Sequence, residues 1–389
     1  MTERFIKLTK YFSDVLLQNS TGGASENILL DLIMIIESLD RIDQPIPRYL
    51  NLNANTKKTK YFLKKLSRIL INEGELNLAK DFFGNLLNYD LPGDTIAEVH
   101  LILADIAIRQ GDWKVVVNRL RDAKLAFHNR NDKLGEARVE NLSGIYFGEQ
   151  GNIIGAKQQF LEGLQLLNGI SHNKLKAKLV INLAIIEIIC EKYERAKEYL
   201  EVAINIFKKI GDKSMDAQIQ YNYGVLNLKQ RDFVGALNMF EESIEIAEEN
   251  SQQDILAMAH LGKSQVLVYS GFINDGKEEL QIADKIAERI DDQLTIADIL
   301  RVDGIIARYE EKYDESEKLL LKGYKLNEEL GNKLNAAECA LELGILYNQS
   351  DKDYNKFKWF DIALKYFRQI KAQSKVEFIE KHLQEEQAG

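Results

Sequence analysis

The chain has 389 residues, a formal net charge of −9 and 29% charged residues, with no basic stripe, which argues against a nucleic-acid partner. No run approaches the roughly 18 apolar residues of a membrane span, and the opening MTERFIKLTKYF carries charge throughout and lacks the apolar core of a signal peptide. The two cysteines, Cys190 and Cys339, lie far apart, so no disulfide framework is expected and a reducing, cytoplasmic location is.

The first expected helix covers Glu3–Leu17, with Phe5, Leu8, Phe12, Val15 and Leu16 on its apolar face. Asn19–Ser25 (NSTGGAS) has the composition of a turn. The next helix, Glu26–Leu39, is apolar nearly all round, so it is buried either under the first repeat or in a homo-oligomer. Arg41–Thr56, with Pro45 and Pro47, reads as a linker. Lys58–Leu91 follows as a short helix pair, with Gly74-Glu75 in the turn, Ala79 at a small position and Phe83 at a large one. The three prolines, Pro45, Pro47 and Pro92, all precede what comes next, so long uninterrupted helices are expected there.

From about residue 97 the chain repeats every 40 residues. Stepping by 40 through Val116 gives Val116, Ala156, Ala196, Ala236, Gly276, Ser316 and Lys356, compact in all but the last. A second column, Ala123, Gly163, Ala203, Ser243, Ala283, Gly323 and Ala363, is small throughout, as is a third, Ala104, Gly144, Ala184, Gly224, Ser264, Gly304 and Gly344. A fourth, Leu120, Phe160, Leu200, Phe240, Leu280, Leu320 and Phe360, is large and apolar throughout. Close helix packing needs small residues at crossing points and large ones beside them. In the unit at Met215–Asn250, the turn Gln230-Arg231-Asp232 joins two helices, and Phe233, Ala236, Leu237, Phe240, Ile244 and Ala247 share one face of the second. Such a unit cannot bury its apolar faces alone and must stack on copies of itself.

The units are placed at about 97–136, 137–176, 177–216, 217–256, 257–296, 297–336 and 337–372. Ser374–Gln387 carries a stripe of Val376, Ile379 and Leu383 and reads as a capping helix. Three segments result: an N-terminal helical part at 1–57, the array at 58–372, and the cap with its tail at 373–389.

The small residue of the first helix, the turns Gly111-Asp112 and Gly151-Asn152, the aromatics Trp113, Tyr193, Phe233 and Tyr313 after the turn, and the small/large/small second helix together resemble the tetratricopeptide repeat superfamily. The resemblance covers about Lys58–Lys371. The usual unit has about 34 residues; this one is longer and resembles the long-repeat subclass found in kinesin light chains, cell-polarity adaptors and bacterial Rap-type regulators. The usual proline after the second helix is missing from every 40-residue unit. The resemblance implies an all-α, right-handed α-solenoid of stacked antiparallel helix pairs that binds a protein or peptide.

Chemistry-bearing motifs are sparse. His100, His128, His172, His260 and His382 are scattered without metal-ligand spacing, so no metal is expected. No G-x-x-x-x-G-K-[ST] or G-x-G-x-x-G occurs, no nucleophile–base set is suggested by motif, and no cofactor or enzymatic activity is expected. The acidic run Glu241, Glu242, Glu245, Glu248 and Glu249 reads as a solvated helix face, and Trp113 and Trp359 as packing residues.

In arrays of the family the first helices line a concave groove. The resemblance places there Arg138 and Asn141, then Lys178, Asn182, Ile185 and Ile188. Tyr221, Asn222, Val225, Leu228 and Lys229 follow, then Gln265, Val268, Arg301, Ile305 and Arg308. Asn182 and Asn222 stand two residues before the small position, where a carboxamide can pair with the backbone of a bound peptide; they can equally satisfy neighbouring helix ends. The chaperone-binding members use an Asn one residue after the small position, where this chain has Asp105, Ile145, Ile185, Val225, Gln265, Ile305 and Ile345, so that carboxylate clamp is absent. An apolar floor with a rim of Arg138, Lys178, Lys229, Arg301 and Arg308 suits an amphipathic helix or an extended segment with apolar and acidic side chains. The expected function is that of a non-enzymatic adaptor; a Rap-like peptide-responsive regulator and a structural subunit that self-associates through Ile28–Leu39 are the alternatives.

Overall fold

The computed structural model describes residues 60, 63, 64, 66–68, 70, 71, 74–88, 91–211, 213–350 and 356–384. The helices expected at Glu3–Leu17 and Glu26–Leu39 and the linker at Arg41–Thr56 lie outside the described residues. After α1 (Leu76–Leu86), seven helix pairs follow. The first helices are α2 (Gly93–Arg109), α4 (Lys133–Glu149), α6 (Asn173–Ile189), α8 (Asp216–Lys229), α10 (Gln253–Tyr269), α12 (Gln293–Tyr309) and α14 (Lys333–Gln349). Their antiparallel partners are α3 (Trp113–His128), α5 (Ile153–Leu166), α7 (Tyr193–Ile210), α9 (Phe233–Glu249), α11 (Ile273–Arg289), α13 (Tyr313–Glu329) and α15 (Lys356–Ile370), and α16 (Gln373–Gln384) closes the chain. The chain is an all-α solenoid.

The columns of the sequence are the contacts within each pair. A Cβ on Gly144, Gly224 or Gly344 would stand 2.3, 2.6 or 2.4 Å from the ring of Phe160, Phe240 or Phe360, the large residue of the same unit. The small residues of the second helix lie on first-helix backbone: Ser243 Oγ donates to the Ala217 carbonyl at 2.8 Å, and a Cβ on Gly163 or Gly323 would meet the carbonyl of Ala137 or Ala297 at 3.4 Å. That backbone belongs to a further invariant column, Ala97, Ala137, Ala177, Ala217, Ala257, Ala297 and Ala337, no member more than 2% exposed. Only a methyl fits where two helix backbones approach this closely.

The two helices of a pair differ in how much they bury. α7 buries Ala196, Leu200, Ala203 and Phe207, a single stripe, whereas α10 buries ten of its 17 residues. Successive first helices also touch one another, so they form the inner layer and the second helices the outer. The turns follow a 20-residue beat. Gly111, Asn131, Gly151, Glu191, Gly211, Arg231, Ser251, Gly271, Asp291, Glu311, Gly331 and Lys371 all have φ between +53° and +88°. Such a residue ends a helix because its left-handed backbone turns the chain out of the ladder. Asp112, Asp132, Asn152, Asp232, Asp292 and Asn332 then cap the next helix with a side-chain oxygen on its first free N–H groups.

The superhelix curls until its coils meet. The Trp113 indole donates to the Leu330 carbonyl, 217 residues on, and the Tyr366 hydroxyl donates to the Gly151 carbonyl at 3.0 Å, 215 residues apart. The Ser374 hydroxyl reaches Glu191 at 2.6 Å. A glycine is required at 151: φ is +67°, and an added Cβ would lie 2.7 Å from the Lys333 Cβ of the facing coil. One apolar core accordingly joins Ala137, Phe160 and Leu183 to Leu341, Phe360, Tyr366, Val376 and Ile379. The first helices thereby enclose a narrow lumen rather than an open groove.

Candidate functional site: the lumen of the superhelix

The lumen is narrow enough for facing helices to meet through their side chains. Arg109 on α2 reaches Asp254 on α10 at 3.5 Å, and Lys229 on α8 lies 4.0 Å from Glu338 on α14. Over much of its circumference the lumen is lined by charges that satisfy one another. Arg138 binds Glu98 through two 2.7 Å hydrogen bonds, and burial, which pulls the Glu98 carboxyl upward, is outweighed by Arg138 and Lys64, so it stays below the usual range. Arg301 lies 3.4 Å from Asp298, which also accepts from the Asn335 amide at 3.0 Å. Arg308 pairs with Glu342 at 2.9 Å and with Gln349 at 3.1 Å. Glu338 pairs with Lys375. Burial pushes the Glu338 carboxyl up, but Lys375, Lys229 and Arg301 together hold it well below the usual carboxylate range.

Among the described residues, the Glu149 carboxyl has no ion-pair partner. Glu149 accepts from the Asn332 amide at 3.2 Å, and burial together with Asp292 and Asp298 pushes its pKa up to about 7.

Across α6, α8 and α10 the lining changes character. Among the described residues, the side chains of Lys178, Gln218, Tyr221, Gln265 and Tyr269 make no hydrogen bond or ion pair, and Asn222 holds its Nδ2 buried without a partner. Burial, reinforced by Arg68 and Lys174, lowers the pKa of Lys178; Asp105 opposes this from beyond ion-pair range. Burial raises the hydroxyls of Tyr221 and Tyr269, so both remain protonated donors at neutral pH. Ile185, Ile189, Val225 and Met258 on the same three helices are half-buried. The arc offers hydrogen-bond donors and acceptors spaced by apolar contacts.

The structure therefore sorts the residues expected in the groove. Lys178, Ile185, Tyr221, Val225 and Gln265 are half-buried on first helices. Asn141 and Asn182 bond to each other at 3.0 Å. Asn222 is only 2% exposed, so it is a buried amide and not an open one. The rim cations differ most from expectation: Arg138 and Arg308 stand beside carboxylates of the neighbouring first helices, Lys229 beside Glu338 of the more distant α14, and Arg301 beside Asp298 of its own helix. Ile188, Leu228, Val268 and Ile305, expected in the groove from the resemblance, are at most 8% exposed and pack between helices. Gln218, Tyr269, Glu149, Asp298 and Glu338 were missed. The signal existed in the column Glu98, Arg138, Lys178, Gln218, Met258, Asp298, Glu338, whose charge changes sign along the array.

Among the described residues no group of three or more His, Cys, Asp or Glu could hold a metal ion, and no helix is long and apolar enough to cross a membrane.

Residues 176–249 match the family profile of the tetratricopeptide repeat. No curated protein matches the chain. Among solved structures, the chain is similar to the Rap conjugation gene regulator of the plasmid pLS20 in complex with the Phr* peptide, at 14% identity and a TM-score of 0.58, covering 94% of this chain and 96% of that one. It is also similar to a Rap protein complexed with competence and sporulation factor, at 15% identity and TM-score 0.57, covering 84% and 97%. A third is aspartyl phosphate phosphatase F from Bacillus subtilis, at 10% identity and TM-score 0.53, covering 96% and 93%. At these identities the likeness is one of fold. The profile is matched in the middle of the array and the same helix pair is repeated on either side of it, so the chain carries tetratricopeptide repeats at 176–249 within a solenoid of tetratricopeptide-like fold.

Proposed function

We propose that this protein is a non-enzymatic, cytoplasmic peptide-binding protein that takes an extended segment of a partner into its lumen along α6, α8 and α10. The observation that carries this reading is the contrast in the lining. Elsewhere, Glu149 apart, the lining charges are neutralised by one another, whereas this arc presents polar groups with no partner among the described residues, beside half-buried apolar side chains. Unpaired polar groups in a confined space are unfavourable alone, and a peptide backbone supplies both donors and acceptors to match them. A narrow lumen favours an extended chain over an amphipathic helix, about 10–12 Å across.

The test uses the purified full chain and affinity selection from a synthetic random heptapeptide pool, read by mass spectrometry. Wild type is expected to retain a defined subset, and Ile185→Glu with Val225→Glu to lose it while circular dichroism remains unchanged. Equal retention by both proteins would remove the lumen from consideration.

A second reading, the peptide-responsive regulator, is favoured by the two Rap structures, which are complexes with a peptide or factor and whose chains match this one over 96% and 97% of their lengths. The adaptor and regulator readings part on one point. A retained peptide that changes the hydrodynamic radius supports regulation, and one that leaves it unchanged supports an adaptor.

A further inference from the structure

Of the five cations in the expected rim, four have carboxylates beside them: Arg138 has Glu98, Lys229 has Glu338, Arg301 has Asp298 and Arg308 has Glu342. Lys178 has none among the described residues. We infer that Lys178 is the docking point for a carboxylate of the bound peptide, so that the partner is an anionic segment read by charge at one position; this rests on the peptide-binding reading above.

The surroundings of Lys178 explain why the group awaits an anion. The cations acting on it are Arg68, Arg138 and, on its own helix, Lys174, and Asp105 opposes them more weakly than Arg68 or Lys174 does. Arg138 is already bound by Glu98 and cannot compete for a second carboxylate without breaking two 2.7 Å bonds. Lys174 is engaged by the Ser214 hydroxyl at 2.8 Å. The ammonium therefore sits in a region of positive potential with its three donors unused. An arriving carboxylate gains a charge-assisted hydrogen bond and relieves the repulsion in the same step.

The neighbouring positions indicate what accompanies the charge. Ile185 and Ile189 lie two and three turns further along α6, half-buried, and Gln218 and Tyr221 are half-buried on the next first helix, α8. The recognised element is a carboxylate followed by apolar side chains, with its backbone met by amides and a phenol. The carboxylate comes either from the peptide's own C-terminus or from an Asp or Glu side chain. Both present the same planar anion, and the chain of contacts does not depend on which.

The same heptapeptide selection decides the matter when run with two pools, one ending in free carboxylates and one amidated, against wild type, Lys178→Met and Lys178→Arg. Wild type is expected to retain peptides enriched in Asp or Glu at one fixed position from both pools, or peptides from the free-acid pool alone. The first outcome assigns a side-chain carboxylate and the second the C-terminus. Lys178→Met is expected to weaken binding of the selected peptide at least tenfold, and Lys178→Arg to stay within about threefold of wild type. Thermal denaturation without peptide separates a docking residue from a structural one. Lys178→Met is expected to melt no lower than wild type, since it removes an unpaired charge. Retained peptides without acidic or free-acid enrichment would overturn the carboxylate assignment and leave peptide binding standing. A Lys178→Met protein that melts lower would also overturn it. Retention of no peptide by wild type would overturn both.

Discussion

Two arcs of one lumen, built on the same repeating helix, solve the burial of polar groups in opposite ways. Around α12 and α14, every cation of the lining has an acid within 4.0 Å, and the acids are shared: Asp298 accepts from Arg301 and Asn335, and Glu338 serves both Lys375 and Lys229. Around α6, α8 and α10, first helices carry Lys178, Gln218, Tyr221, Gln265 and Tyr269 with no such partners among the described residues. A charge buried with its counter-charge fastens two helices, while a polar group left without one lowers stability until something binds it. On the function proposed above, the first arc is part of the scaffold and the second its receptive surface. A repeat protein can divide labour this way because each unit contributes one slice of the inner wall, and a substitution in that slice leaves the stacking columns untouched.

The comparison is broken most easily at Glu338. Its side chain is 15% exposed and compensates Lys375 and Lys229. Glu338→Ala strands both cations, and a loss of about 2–4 kcal/mol is expected in the urea unfolding of the full chain. Gln218→Ala and Gln265→Ala, on the receptive arc, are expected to remain within about 0.5 kcal/mol of wild type. Equal losses from all three would show that the two arcs do not differ.

A smaller effect, with a definite sign, comes from Glu149. Its pKa lies near 7 in the folded chain against an ordinary 4.5, because burial, Asp292 and Asp298 oppose ionisation. Between those two values the folded state holds the proton more tightly than the unfolded state does. Stability therefore falls as pH rises from about 4.5 to about 7, and the full penalty is present above that. The shift corresponds to at most about 3 kcal/mol, reduced to about 1–2 because the carboxyl is partly open to water in the lumen. Glu149→Gln is expected to flatten that slope in urea midpoints measured between pH 4.5 and 8, and to be more stable than wild type at pH 8. An unchanged slope would mean that Asp292 and Asp298 do not act on this carboxyl.

Much of the fold was legible because packing writes itself into columns. Small residues at Gly224 and Ser243 and the large Phe240 recur every 40 positions, since the same crossing is built in every unit. The lumen was far less legible. Which side chains share a helix face follows from spacing, but which faces meet depends on the curvature of the whole array. Trp113 looks like a packing residue in the sequence, and only the closed coil shows its indole on the Leu330 carbonyl. Arg308 and Glu342 stand 34 positions apart in neighbouring units, and Arg109 and Asp254 stand 145 apart. The first separation can be anticipated from the repeat. The second cannot, because small angles between successive pairs accumulate before α2 comes to face α10.

The smallest expected effect is also the one that most sharpens the comparison, because it tests Lys178 with no ligand present. Burial, Arg68 and Lys174 lower its pKa from the ordinary 10.5, so the folded chain gives up this proton before the unfolded chain does. In the window between the lowered value and 10.5 the unfolded state binds more protons, and stability from this group rises with pH; below the window the repulsion is fully present. Lys178→Met is thus expected to raise the melting midpoint at neutral pH, on the order of 1 °C, with the advantage shrinking as pH approaches 10.5. Lys375→Met, made beside it, is expected to lower the midpoint at neutral pH, because Lys375 is the nearest partner of Glu338. Two lysines in one lumen, of one chemistry and opposite effect on stability, would place the difference between the arcs in their partners and not in the residue type. If both substitutions shift the midpoint in the same direction, the division into a scaffold arc and a receptive arc fails at the residue where it was drawn most sharply.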